Sequence, residues 1–215
     1  MPSASTLASF ALAATALILL PGPAMLFLVS RGIGQGRRLA LASTLGIEAA
    51  TATMVLLTAF GLSALISSSV LAFSIVKYAG AAYLVYLAVR EFRARGHFAL
   101  AAAPVSGPLR AFADAYLVGI SNPKTAVFFL AFFPQFVHQG SAGSGPVWSQ
   151  VLVLGAVFVV IGLVFDSTYA LSAGSVGQWL QRHPKAVDRQ RFVSGGIFLA
   201  MGGAAALTGH PERPA

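Results

Sequence analysis

An all-α integral membrane protein is the fold class the sequence predicts, on composition, on a series of apolar segments, and on the charges between them. Of 215 residues, 57% are hydrophobic and only 9% are charged, against about 25% charged in a soluble domain. The mean hydropathy is +0.79. The length accommodates about six helices of roughly 20 residues with short connections. Helices are expected because open strands leave their backbone polar groups unsatisfied in lipid. The net charge of +8 does not point to nucleic acid, because the basic residues are confined to alternate loops. The chain has no cysteine, which excludes disulfides, thiol chemistry and thiolate metal sites.

The expected spans cover residues 7–30, 39–60, 70–89, 112–137, 148–172 and 192–208. The N-terminal stretch lacks the basic start of a signal peptide and is read as the first span. Length and lack of charge define these segments, since a lipid-facing helix shows little periodicity. Lys plus Arg in successive loops runs 3, 0, 4, 0, 4: Arg31, Arg37 and Arg38; none; Arg90, Arg93, Arg95 and Arg110; none; Arg182, Lys185, Arg189 and Arg191. The positive-inside rule then places loops one, three and five in the cytoplasm and both termini in the periplasm. Residues 91–111, with Pro104, Gly107 and Pro108, read as a cytoplasmic linker inside a single domain, 1–215.

The linker separates a first repeat, 1–90, from a second, 112–215, each expected to hold three spans. With this topology the repeats are inverted, and each opens on an interrupted span: Pro21-Gly22-Pro23 in span 1, Asn122-Pro123 in span 4. Matched interruptions in inverted halves are the sequence pointer to a secondary transporter's midplane site, with one half expected to move against the other.

Asn followed by Pro is a helix-start signature: Asn caps, and Pro takes the first position, where no N–H is needed. The free N–H groups and dipoles of two such starts favour an anion. Lys124 adds a full positive charge where a lysine costs about 2.5–3.5 kcal/mol. Pro21, Gly22, Pro23, Asn122, Pro123 and Lys124 are therefore the candidate residues for a substrate carboxylate. Glu48, half-way along span 2, can pair with Lys124, carry a proton or meet a substrate amine. Asp166 lies nearer the cytoplasmic end of span 5, where it faces the interior or reaches water. These two acids are the coupling candidates. Asp114 reads as an interface or helix-start residue, and Lys77 as one that snorkels. Phe128, Phe129, Phe132 and Phe133 read as packing or lipid-facing bulk. His97, His138, His183 and His210 fall outside the spans with no metal-ligand spacing, and no Walker-type motif is present. No metal, cofactor or catalytic residue is assigned, and the chain is not read as an enzyme.

The order of Pro21-Gly22-Pro23, Arg31-Gly-Ile-Gly-Gln-Gly-Arg37-Arg38, Lys77-Tyr-Ala-Gly80-Ala-Ala-Tyr83-Leu, Asn122-Pro123-Lys124 with Phe128-Phe129, and Phe133-Pro134-Gln135-Phe136-Val137 resembles the LysE/RhtB family over nearly the whole chain. The resemblance implies a six-span, inverted-repeat exporter of amino acids or their derivatives in the bacterial inner membrane, driven by proton antiport. The six residues of the two interruptions match the family's motifs. Ala50 and Ala115 stand where the family pattern leads one to expect glycine, and both are small enough for close helix approach. Glu48 is assigned on chemistry alone. The expected partners are a small zwitterion, a proton and the lipid bilayer, with no nucleic acid and with a homodimer as an open assembly state. The alternatives are a divalent-cation exporter of the same superfamily and a non-transporting membrane scaffold.

Overall fold

The computed structural model describes residues 2–68, 70–93, 107–137 and 145–207. Most of the expected linker, His97, His138 and His210 lie outside these residues, as does the side chain of Lys77. The described residues form helices joined by short turns: α1 (Ala4–Leu19), α2 (Pro23–Gln35), α3 (Arg37–Ser68), α4 (Val70–Arg93), α5 (Pro108–Ile120), α6 (Pro123–Val127), α7 (Val147–Leu171), α8 (Ala173–Arg182) and α9 (Pro184–Leu207). A wide π turn, Phe128–Phe132, and a 3₁₀ turn, Phe133–Phe136, continue α6.

Prolines set four of the starts. Pro23, Pro108 and Pro123 each sit in the first turn, where a missing N–H removes nothing, and Pro184 opens α9. The first expected loop contracts to Gly36, whose φ of 85° only glycine adopts freely. That turn brings Arg37 into α3 and leaves Arg31 inside α2, so Arg31 is not a loop residue. Pro184 likewise draws Lys185, Arg189 and Arg191 onto α9 rather than a loop.

Among the described residues, Arg37–Gly61 and Val147–Leu171 are long and apolar enough to cross a membrane. Two further pairs qualify if each is one broken span: α1 with α2, bent by 54°, and the helices across Ser121–Asn122, bent by 47°. Both expected interruptions are thus present. The expected third and sixth spans, α4 and α9, fall outside this set.

The most extensive packing joins α3 to α5 and α7, and α4 to α9. Each of these pairs links residues 1–93 to residues 107–207, so the two expected repeats interdigitate. The registers give relative directions. On α3, Ser43, Gly46 and Ala50 meet Ala111, Ala115 and Gly119 of α5 in ascending order, so these two helices run parallel. Gly162 of α7 lies at Glu48 and Gly155 at Val55, so α7 runs antiparallel to α3. Gly195 at Phe92 and Gly202 at Leu84 make α4 and α9 antiparallel.

Ala50 and Ala115 each face a glycine across the α3–α5 contact, which keeps the backbones close. A Cβ on Gly119 would lie 2.8 Å from that of Ala50 and 3.2 Å from Ile47 Cα. Gly119→Val is expected to destabilise the protein by about 1–3 kcal/mol through overpacking, read as a lowered unfolding temperature of the purified protein. An unchanged temperature would mean the two helices do not abut as described.

The phenylalanines form a core rather than a lipid face. Phe10, Phe128, Phe129, Phe132, Phe133 and Phe158 are all buried, with ring centroids 5.0–5.3 Å apart in successive pairs.

Candidate functional site at the two helix breaks

The first break follows from Pro21. A continuous helix would pair the carbonyl of Leu17 with the N–H four residues on, and Pro21 has none. Leu20, ahead of that proline, is extended with φ −65° and ψ 121°, as expected for a residue before proline. The Leu20 N–H turns back to the Leu17 carbonyl at 3.1 Å, the Leu20 carbonyl is left needing a donor, and Lys124 reaches both. Its Nζ donates to the carbonyl of Leu20 at 2.8 Å and of Leu17 at 3.0 Å. A cation there also meets the negative end of the α1 dipole. An ammonium has three donors, so these bonds leave one. Among the described residues, no carboxylate lies within salt-bridge distance of it.

The second break is closed by its own residue. Asn122, buried with 3% of its surface exposed, accepts the N–H of Lys124 on Oδ1 at 3.1 Å, and Pro123 opens α6. The start of α2 differs. Gly22 offers no side-chain cap, and Ala24 and Met25, whose N–H groups lie in that first turn, line a small cavity with Lys124. The two helix starts thus differ: that of α6 has its Lys124 N–H capped by Asn122, as expected, and that of α2 has no side-chain cap.

The same cavity takes in Glu48, Thr51, Asn122, Thr125 and Asp166. Glu48 is 6% exposed and Asp166 8%, so Asp166 is interior rather than water-facing. The two carboxyls are neighbours. Gly162 makes room for Glu48, since a Cβ there would strike its carboxylate. Thr44 ties the helices locally, its hydroxyl donating to the carbonyls of Ala40 at 3.3 Å and Asp166 at 3.4 Å. Among the described residues, Oε2 of Glu48 is buried without a hydrogen-bond partner, an arrangement that calls for water, a proton or a ligand. The cavity volume is about 40 Å³. That admits water, at about 10–15 Å³ each, but falls well short of the 300 Å³ or more of a small-molecule pocket.

Four of the expected site residues therefore converge: Glu48, Asn122, Lys124 and Asp166. Pro21, Gly22, Pro23 and Pro123 shape the backbone around them. Ala24, Met25, Thr51 and Thr125 were not singled out from sequence. Thr51 lies three residues after Glu48 and Thr125 three after Asn122, so helical spacing carried that signal; the α2 backbone donors have no side-chain signature. Among the described residues, no group of three or more His, Asp or Glu is placed to hold a metal ion.

A second ionic contact lies nearer the α2–α3 turn. Arg31 of α2, 1% exposed, pairs with Asp114 of α5 at 3.0 Å and donates to Gln35 at 3.3 Å, its guanidinium 4.9 Å from the ring of Phe27. The partners are 83 residues apart in sequence, which is why the chain alone did not pair them. Asp114 is 37% exposed at its side chain. Losing Asp114 deprives a buried cation of its carboxylate, whereas losing Arg31 leaves a carboxylate with access to solvent. Asp114→Asn is expected to destabilise by about 1.5–3 kcal/mol and Arg31→Met by less, measured by thermal unfolding. The opposite order would contradict the burial asymmetry.

Comparison with known proteins agrees with this arrangement of motifs. The profile of the family described as LysE type translocator matches residues 15–209. A homoserine/homoserine lactone efflux protein of Salmonella typhimurium is 34% identical over 203 residues, 94% of this chain and 96% of that protein. An uncharacterized membrane protein of Vibrio cholerae is 32% identical over 197 residues, covering 90% and 93%. A leucine efflux protein of Enterobacter sp. is 27% identical over 188 residues, covering 85% and 86%. No solved structure matches the chain. With the profile spanning almost the whole length and both helix breaks in place, the chain belongs to the LysE type translocator family of membrane proteins.

Proposed function

We propose that this protein is a secondary active exporter of a small amino acid or amino-acid derivative, working by proton antiport across the bacterial inner membrane. The observation that carries the reading is the convergence, between two broken helices, of a lysine, an uncapped helix start and two buried carboxyls. That set is complementary to a zwitterion. The substrate carboxylate is assigned to the N–H groups at the start of α2 and the remaining donor of Lys124. Its amine, or the counter-transported proton, is assigned to Glu48 and Asp166. Relatives named for the efflux of homoserine, its lactone and leucine support the substrate class. A divalent-cation exporter fits less well, because a lysine beside the two carboxyls opposes cation binding.

The topology belongs to the same proposal: six spans in two inverted repeats, both termini periplasmic. The helix directions support it, since α3 parallel to α5, α7 antiparallel to α3, and α4 antiparallel to α9 are the relations that alternating spans require. The cavity is too small for a substrate and must widen to admit one. Because α3 packs across both repeats, the moving parts are assigned to α2 and α6, hinged at their breaks, rather than to a whole repeat.

The test uses the purified protein in liposomes loaded with radiolabelled leucine or homoserine. An imposed proton gradient should drive counter-directed flux, and a protonophore should abolish it. Flux absent for both compounds, or indifferent to the gradient, would overturn the reading.

A further inference from the structure

A second, larger cavity lies apart from the one just described. It has a volume of about 1000 Å³ and runs between the C-terminal end of α1 and the first turns of α9. Its walls are apolar, formed by Leu19, Leu20, Val193 and Ile197. Leu19 and Val193 are 46% and 59% exposed, so the groove opens sideways from the helix bundle. Its rim is basic, with Arg182, His183, Lys185 and Arg189. Among the described residues, none of Arg182, Lys185 and Arg189 forms a salt bridge; the side chain of Asp188 lies outside those residues.

The depth of the rim comes from α8. That short helix buries Ala173 and Gly177 and exposes Trp179 and Arg182. The indole of Trp179 stacks on His183, centroids 4.9 Å apart, and its carbonyl lies 2.9 Å from His183 Nδ1. A half-exposed tryptophan on an amphipathic helix marks the membrane–water interface. Such a placement would set the three cations at headgroup level, above an apolar groove open to the acyl-chain region. Basic pockets between membrane helices are a recurrent headgroup-binding arrangement, and arginine suits the paired oxygens of a phosphate diester.

We propose that this groove binds one anionic phospholipid, with an acyl chain along Leu19, Leu20, Val193 and Ile197 and the phosphate on Arg182, Lys185 and Arg189. A small zwitterion is the poorer occupant, since it would leave the apolar walls uncovered. The groove also touches Leu20 and Pro21, the end of α1 whose carbonyls bind Lys124. A bound lipid would brace the first helix break from outside.

Native mass spectrometry of the full-length protein, released from micelles containing phosphatidylglycerol or phosphatidylcholine of matched chains, tests this without reference to transport. The wild type should retain one phosphatidylglycerol with a preference of about tenfold or more. Arg182→Gln/Lys185→Gln/Arg189→Gln should remove the preference, and Arg37→Gln/Arg38→Gln, on the other basic turn, should keep it. Val193→Trp, which fills the groove mouth, should reduce retention of both lipids while the rim stays intact. Equal retention of the two lipids by the wild type, an unchanged preference in the triple variant, or displacement of the lipid by millimolar leucine or homoserine would each overturn the proposal.

Discussion

Lys124→Met is expected to abolish gradient-driven flux and to lower the stability of the purified protein by about 3 kcal/mol or more. Both effects come from the same two bonds. Lys124 Nζ donates to the carbonyls of Leu17 and Leu20, and a hydrogen bond to a charged group contributes about 1.5–3 kcal/mol. The carbonyl of Leu17 keeps the N–H of Leu20, but that of Leu20 has no backbone donor among the described residues, and burying it unpaired is costly. Methionine keeps the length and loses all donors, so the end of α1 loses its attachment to α6. The two half-helices proposed to carry the substrate are then no longer held in register. Thermal unfolding and the liposome flux assay read the two effects separately. Wild-type stability together with wild-type flux would remove Lys124 from the account.

Glu48→Gln is expected to reduce gradient-driven flux on the order of 100-fold, the lower end of what a positioned proton-transfer group contributes, while leaving the protein folded. The replacement is nearly isosteric, so the space that Gly162 provides stays filled. What changes is charge and the capacity to exchange a proton at a buried site beside Asp166. A second measurement separates the two roles. If Glu48 carries the proton, exchange of labelled for unlabelled substrate without a gradient survives in the variant; if it holds the amine, exchange is lost as well. Asp166→Asn is expected to be the milder change if Glu48 is the primary acid. Wild-type flux with undiminished gradient dependence in Glu48→Gln would exclude it from both roles.

The degree to which the chain could be read in advance differed by feature. Pro21 and Pro123 disclose their helix breaks directly, because a missing N–H and a fixed φ act on residues within one turn. Glu48, Asn122, Lys124 and Asp166 could be chosen as site residues because polar groups in apolar segments are costly and therefore conspicuous. Arg31 could not be recognised as buried, because a glycine turn at position 36 and a carboxylate 83 residues away decide its surroundings. Thr51 and Thr125 were legible from helical spacing once Glu48 and Asn122 were chosen. The cap at the start of α6 was legible from Asn122 itself; which residues surround the uncapped start of α2 was not, because they come from distant helices.

By itself the sequence determined that the chain is a helical membrane protein, where two of its helices break, and that Glu48 and Lys124 fall inside apolar segments. Composition, proline geometry and the expense of charge in lipid are properties of short stretches of chain. Only the tertiary structure decided what the Lys124 ammonium meets, that Glu48 and Asp166 are neighbours, and that α3 packs against α5 and α7 of the later half of the chain. Those outcomes depend on where the end of α1 lies relative to a lysine 104 residues further on. That position is set by packing between whole helices, α1 against α7 and the phenylalanine core, rather than by any local preference of the backbone.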